Sequence, residues 1–475
     1  MIDITQALPR SEPEEQHISS AGILSFLDGL QEQGIELHSL MVLRHGTVVA
    51  EGWWQPYQPD GIHLLYSLSK SFTATAAGFA IAEGLLSLDD KVLAFFPDQA
   101  PAAPSDFQRR LELRHLLSMA TGHREDTLER AITVDPEDWV RGFLSIQPEE
   151  EPGSIFAYNN GATFMVSAIV QQVTGQRVLN YLRPRLLHPL GITDAYWQQD
   201  PQGRNIGYSG LHLSTESIAR FGQLFLQGGQ WQGEQLLPEG WAELASTIHV
   251  ANDQEENPDW SQGYGFQFWR GRHGTYRGDG AYGQFSVVMP EQDAVLATTS
   301  ATENMQAILD LAWTRLLPAM HDSAPAAQPG AAAELAERLA NLAIAPVDAA
   351  DDAAASASTA TVWLPSPSQQ PVNAPPIERV TVEAVDDEFQ LTLALDGADY
   401  ELRCRPGCWT ENKTGLIPML GDAAEASGGW TGADTFTAEI AFTRTPHRLQ
   451  VTCRTGETGG VFELGWNAIP LGSVR

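Results

Sequence analysis

The sequence predicts an α+β domain followed by a small all-β domain. Three observations carry this: strand-like runs at both ends of residues 18–322, helical spacing between them, and a switch to period-two alternation from residue 377. Helical spacing over Ala21 to Gln33 leads into Leu40-Met41-Val42-Leu43, the turn Arg44-His45-Gly46 and Thr47-Val48-Val49-Ala50, which together read as a hairpin. A second strand pair, 284–289 and 294–299, flanks the turn Pro290-Glu291-Gln292-Asp293. Helices such as Ile218 to Gln227 fill the middle. The natural assembly is an antiparallel sheet made from the two ends of the region and flanked by helices, with a helical subdomain between. The first domain then spans 1–322. Residues 323–376, rich in Ala, Pro, Ser and Asp, read as a linker with one short helix near Ala332 to Ala343. In 377–475, runs such as Val380-Thr381-Val382, Phe389–Leu393, Phe436–Phe442 and Leu449–Thr452 alternate apolar with polar, which predicts an antiparallel β barrel or sandwich.

Composition narrows the function. Of 475 residues 43% are apolar, enough for a sizeable core. Acidic residues outnumber basic ones 60 to 28, for a net charge of −32. A polyanion would be repelled by most of the surface, so the charge argues against nucleic acid and anionic membranes as partners and reads instead as a device for solubility. No run of 18 apolar residues exists, so no spanning helix is expected. The segment 1–16 has no basic leader and no apolar core. The three cysteines, Cys404, Cys408 and Cys453, are an odd, low count that suits free thiols in a reducing compartment. A cytoplasmic location is the resulting expectation.

The chemistry gathers in three segments. In Tyr66-Ser67-Leu68-Ser69-Lys70-Ser71-Phe72-Thr73, Ser67 and Lys70 stand three apart, which on a helix puts both on one face. A serine hydroxyl needs a base, and a lysine in a partly dry site can lose its proton and serve. Ser67 in a first helical turn also meets the positive end of the helix dipole. A bare S-x-x-K is common on surface helices, so the other two segments matter. Pro152-Gly153-Ser154-Ile155-Phe156-Ala157-Tyr158-Asn159-Asn160-Gly161 precedes a helix ending at Thr174-Gly175, and its loop can direct Tyr158 and Asn160 into one cleft. Arg277-Gly278-Asp279-Gly280-Ala281-Tyr282-Gly283-Gln284 runs into a strand whose edge can offer an N–H to an oxyanion.

In this order and spacing the three segments resemble the serine beta-lactamase / penicillin-binding-protein superfamily, in its class C-like beta-lactamase-related branch of esterases, aminopeptidases and amide-oligomer hydrolases. Leu113–His123 and Leu190-Gly191-Ile192 extend the resemblance, which covers residues 18–320. It implies a beta-lactamase-like fold with Ser67 as the acylated nucleophile. Lys70 and Tyr158 would share base and acid duty, and Asn160 would bind substrate and hold Lys70. The third motif falls on Gly278, Asp279 and Gly280, with Ala281 giving the oxyanion N–H beside that of Ser67. No metal or organic cofactor is implied; the partner is a small-molecule or short peptide-like ester or amide.

The third motif departs from the pattern. Gly278 removes the family's cation and Asp279 adds an anion, so a carboxylate there would meet a repulsion of about 1–4 kcal/mol. Efficient beta-lactamase action is therefore not expected, and a neutral or amine-bearing substrate end is. Asn412-Lys413-Thr414-Gly415 spells the motif literally but lies in the β region and reads as a turn; Lys413→Ala should leave activity intact. A Ser-His-Asp hydrolase is disfavoured because no G-x-S-x-G occurs, and H-E-x-x-H is absent too. His45, His63 and His212 read as loop or core histidines, and Trp53, Trp54, Trp260 and Trp269 as core. The competing reading is a catalytically silent binding module that kept the fold.

Overall fold

Every residue of Leu37–Arg44 is buried, which a strand achieves only inside a sheet covered on both faces. The computed structural model describes residues 6–325, 328, 330–350, 361–366, 370–456 and 459–472. After helix α1 (Ser20–Glu32), that buried strand, β1 (Leu37–Arg44), turns at His45 and Gly46, both in left-handed backbone, into β2 (Thr47–Trp53). Helices α2 (Ser69–Ala82), α3 (Asn160–Thr174) and α4 (Thr215–Leu226) follow, with shorter helices between α2 and α3. Strands β3 (Trp269–Arg270), β4 (Tyr276–Gly280), β5 (Gln284–Met289) and β6 (Ala294–Ser300), then helix α5 (Met305–Leu311), complete the domain. The six strands form one antiparallel sheet in the order β2-β1-β6-β5-β4-β3. The hairpin and the closing strand pair therefore meet in the middle, as the sequence predicts.

Alternation along β1 splits its side chains between two cores. Leu40 and Val42 join Phe26, Leu30, Ile308 and Leu311 of α1 and α5. Met41 and Leu43 join Phe72, Phe221 and Phe225 of α2 and α4. Phe72 stacks on Phe221 with ring centres 3.9 Å apart, so the helix that carries Lys70 is fixed to the sheet through α4.

The linker is more ordered than its composition implies. Helix α6 (Ala331–Ala340) buries Ala331 and Leu335, and Leu335 lies in the same core as α1. Leu339 and Leu342 cover Gly52 of β2. A stripe of small and apolar residues suffices for docking even in a stretch rich in Ala, Pro and Ser. The ten residues 351–360 lie outside the described residues.

Within that predicted linker, Thr361–Pro365 forms a strand, β7, and contributes the fully buried Trp363 to the second domain's core. Eight more strands follow: β8 (Arg379–Val385), β9 (Glu388–Leu395), β10 (Ala398–Cys404), β11 (Thr410–Lys413), β12 (Ala423–Trp430), β13 (Thr435–Ala441), β14 (Arg448–Gly456) and β15 (Gly459–Trp466). Their order is β10-β9-β8-β7-β15-β14-β13-β12-β11, antiparallel except for the parallel pair β7–β15. The sheet curls into a nearly closed barrel: the Asn412 amide of β11 bonds both the N–H and the C=O of Arg403 on β10, at 2.8 and 2.9 Å. Cys404 and Cys453 are buried in this core and Cys408 is half-buried, all as free thiols. Lys413 is exposed on the edge strand.

The barrel docks on the first domain. Arg448 grips Glu36 through two bonds of 2.8 and 3.0 Å, Tyr57 donates to the Thr445 carbonyl at 3.1 Å, and the Leu64 N–H donates to the Arg444 carbonyl at 2.8 Å. Among the described residues no helix is long and apolar enough to cross a membrane.

Candidate active site

A two-residue strand, His63–Leu64, leads into one 3-10 turn, Tyr66–Leu68, which runs directly into α2. Ser67 therefore sits just before the α-helix rather than in its first turn. It is half-buried and lines a cavity of about 970 Å³. Lys70, one turn on, is 1% exposed. Its ammonium donates to Ser67 Oγ at 2.8 Å, to Asn160 Oδ1 at 2.7 Å and to the Tyr208 carbonyl at 2.9 Å. Lys70 Nζ also lies 4.7 Å from the centre of the Tyr158 ring. The hydroxyl, amine and phenol named from the sequence thus converge.

Burial lowers the Lys70 ammonium to about 7, against the pull of Asp126 and Asp279. An amine so placed exchanges its proton near neutral pH. Once neutral it keeps two N–H donors and gains one lone pair. The Asn160 and Tyr208 oxygens can only accept, so both N–H groups stay with them and the lone pair faces Ser67. Burial raises the Tyr158 phenol well above its ordinary value; Asp279 adds to this and a hydrogen bond with Ser67 opposes it. Tyr158 therefore stays protonated. Its ring stacks on Trp269, with centres 5.3 Å apart, so that tryptophan braces the site.

Asn160 opens α3, and Asn159 caps the helix by accepting the Ala162 N–H at 3.2 Å. The sequence does not single out Asp126. Its carboxylate accepts from the Asn160 N–H at 2.9 Å and from Asn160 Nδ2 at 2.6 Å. That second bond fixes the amide so that its oxygen, not its nitrogen, meets Lys70. Asp126→Ala frees the amide to turn; a lost bond of this kind is worth about 1–2 kcal/mol, so kcat should fall about 5–30-fold with the fold intact by circular dichroism.

On β4, alternate residues face opposite ways. Gly278 and Gly280 face the nucleophile turn. A Cβ at Gly280 would collide with the Leu65 carbonyl oxygen and lie 3.1 Å from the Ser67 nitrogen. One at Gly278 would collide with Leu68 and come within 2.6 Å of Ser71 Oγ. A side chain at 278 would therefore have to displace Leu68 and Ser71, whereas one at 280 would meet backbone. Ala281 lines the cavity beside Ser67. Asp279 corrects an expectation: it offers substrate no free anion. Its carboxylate accepts from Arg277 Nε at 3.0 Å, and both side chains are buried. Burial raises its carboxyl, and Arg277 resists the shift.

The rest of the cavity wall is illegible in sequence. Tyr208 and Ser209 line it, as do Glu129, Trp139 and His212. Burial lowers the His212 imidazole to about 4, so it is neutral at physiological pH. The barrel adds Pro418, Met419, Leu420, Gly421, Arg444, Leu471 and Gly472. Lys413 is not part of the wall. Among the described residues no cluster of three or more His, Cys, Asp or Glu side chains could hold a metal ion.

The chain belongs to the Beta-lactamase family, whose model matches residues 25–320. The resemblance seen in its motifs therefore holds, and the barrel lies outside the match. Its relatives include hydrolases. The chain is 26% identical over 288 residues to 6-aminohexanoate-dimer hydrolase of Paenarthrobacter ureafaciens, covering 55% of this chain and 72% of that one. It is 28% identical over 163 residues to lovastatin esterase of Penicillium rubens, covering 30% and 41%. The fold matches EstCE1, a hydrolase with promiscuous acyltransferase activity, with a TM-score of 0.53 at 19% identity, over 62% of this chain and 99% of that one.

Proposed function

We propose that the protein is a serine hydrolase that cleaves an ester or amide through an acyl-enzyme on Ser67. The observation that carries this reading is the Lys70 amine, held by two carbonyl oxygens so that its lone pair meets Ser67 Oγ. Lys70 takes the hydroxyl proton as Oγ attacks the carbonyl. The backbone N–H groups of Ser67 and Ala281 hold the resulting oxyanion. Collapse breaks the bond to the leaving group, which takes a proton from the Tyr158 phenol, and Lys70 restores that proton. Water then attacks acyl-Ser67 by the same route and releases the acid. A fluorophosphonate probe tests the reading: wild type should gain one adduct on Ser67 and turn over members of an ester and amide panel. A protein that neither labels nor turns over any of them is the silent binding module.

Two further outcomes follow. An amine leaving group needs its proton more than an alkoxide does. Tyr158→Phe should therefore slow amides about 10²–10³-fold and activated esters distinctly less, as kcat on matched substrates will show. Substrate choice rests with the cavity wall. With glycine at 278, the family's usual carboxylate anchor is missing there, which supports poor beta-lactamase action. Arg444 instead brings a guanidinium to the wall, 3.8 Å from Asp422 and 47% exposed. At that exposure a charge pair is worth about 0.2–1 kcal/mol. Arg444→Ala should raise KM about 2–5-fold for esters with a distal carboxylate and leave neutral esters unchanged.

A further inference from the structure

Two residues beside the proposed oxyanion donors have left-handed backbone although neither is glycine. Tyr66, with φ 47°, precedes Ser67; Tyr282, with φ 67°, follows Ala281. Such a conformation is strained in any residue but glycine and persists only where its surroundings hold it. Ser300 Oγ and the Thr302 N–H, in the first domain, hold the Tyr282 carbonyl, but the groups that hold both tyrosine side chains come from the other domain. Tyr66 donates its phenol proton to His447 Nε2 at 2.7 Å. His447 Nδ1 donates to the Ala468 carbonyl at 2.9 Å, which fixes the tautomer so that Nε2 accepts. The Leu471 N–H donates to the same phenol oxygen at 3.3 Å. Tyr282 donates its phenol proton to the Ile469 carbonyl. The three rings meet edge to face: Tyr66–Tyr282 at 5.8 Å, Tyr66–His447 at 5.9 Å and Tyr282–His447 at 5.8 Å. Leu64 and Ala468 close this buried cluster, and Ala281 packs against it.

The geometry has a direct mechanical meaning. The Ser67 N–H belongs to the peptide that joins it to Tyr66, so the Tyr66 backbone aims that N–H. Tyr282 fixes the far side of Ala281, whose carbonyl also accepts from Gln284 Nε2 at 2.9 Å. We propose that the barrel domain is a positioning element for the oxyanion hole: His447 and the 468–471 segment pin the two tyrosines that orient the Ser67 and Ala281 N–H groups. His447, Tyr66 and Tyr282 are positioning residues, since they act through those backbone donors. The inference rests on the acyl-enzyme reading above.

The test uses the full-length protein and single-group deletions. Tyr66→Phe and Tyr282→Phe each remove one oxygen; His447→Phe removes the acceptor, and His447→Gln keeps one. Removing an oxyanion donor outright costs about 10²–10³-fold, so misaiming one should lower kcat about 10–100-fold. KM for a neutral ester should stay within about twofold. The affinity of a boronic acid, which becomes a tetrahedral anion on Ser67, should fall in parallel with kcat. His447→Gln should recover most of the loss caused by His447→Phe. Wild-type kcat and boronate affinity in the two Tyr→Phe variants overturn the inference, whatever happens to their melting temperatures. These variants keep it testable even if His447→Phe fails to fold. A wild type that neither labels nor turns over overturns the acyl-enzyme reading itself, a distinguishable result.

Discussion

Ser67→Ala should abolish probe labelling and cut kcat/KM about 10³–10⁶-fold, the range seen when a nucleophile that works with its base is removed. The change should leave the fold alone. Ser67 is half-buried, and Lys70 keeps its bonds to Asn160 and the Tyr208 carbonyl. Intact-mass measurement after probe treatment and thermal unfolding of the same sample check both halves. The neighbouring hydroxyls offer no substitute. Ser69 Oγ accepts the Leu211 N–H at 3.1 Å, and Ser71 donates to the Gln267 carbonyl at 2.8 Å; both are buried. Labelling that survives in Ser67→Ala moves the nucleophile elsewhere and ends the assignment.

Activity should rise with pH through an apparent pKa near 7 and then level off. The sign follows from the proposed active form, in which neutral Lys70 is the base, and burial lowers its ammonium to about 7. Below that value each pH unit leaves about tenfold less neutral amine, so kcat/KM at pH 5 should be about 100-fold below the plateau. Lys70→Arg keeps the charge but cannot surrender a proton at any working pH. It should lose at least about 10³-fold, and the acid limb should vanish with it. A flat profile between pH 5 and 9, or a Lys70→Arg variant with a tenth of wild-type activity, removes Lys70 as the base.

Local pattern was enough for the sheet. The runs at 40–50 and 284–299 carry strand signals and tight turns, and a buried sheet pairs such runs wherever they lie in the chain. Spacing alone put Ser67 and Lys70 on one helical face; Tyr158 and Asn160 joined them only through the resemblance to the serine beta-lactamase superfamily, because no local pattern links segments so far apart in the chain. What stayed hidden depends on three-dimensional packing. Asp126 sits in a loop with no spacing signal. The Tyr208 contribution is a backbone carbonyl, which any residue could supply. Asp279 looked like a free anion because its partner, Arg277, is two residues away, a spacing that places both on one face only if the segment is a strand. The strand at Thr361–Pro365 lies in a stretch whose Ala and Pro content hides one buried tryptophan.

The two walls of the cavity have separate origins. Ser67, Asn160, Tyr208 and Ala281 stand on the sheet-and-helix domain, whereas Pro418–Gly421 and Arg444 arrive from barrel loops and Leu471–Gly472 from the segment after the last strand. Surface loops tolerate changes of length and sequence that packed helices do not. Appetite for new molecules can therefore evolve by redrawing the 418–421 loop or the side chain at 444 while the reactive machinery is inherited unchanged. Randomised libraries aimed at those few positions are the economical way to retune what the proposed hydrolase accepts.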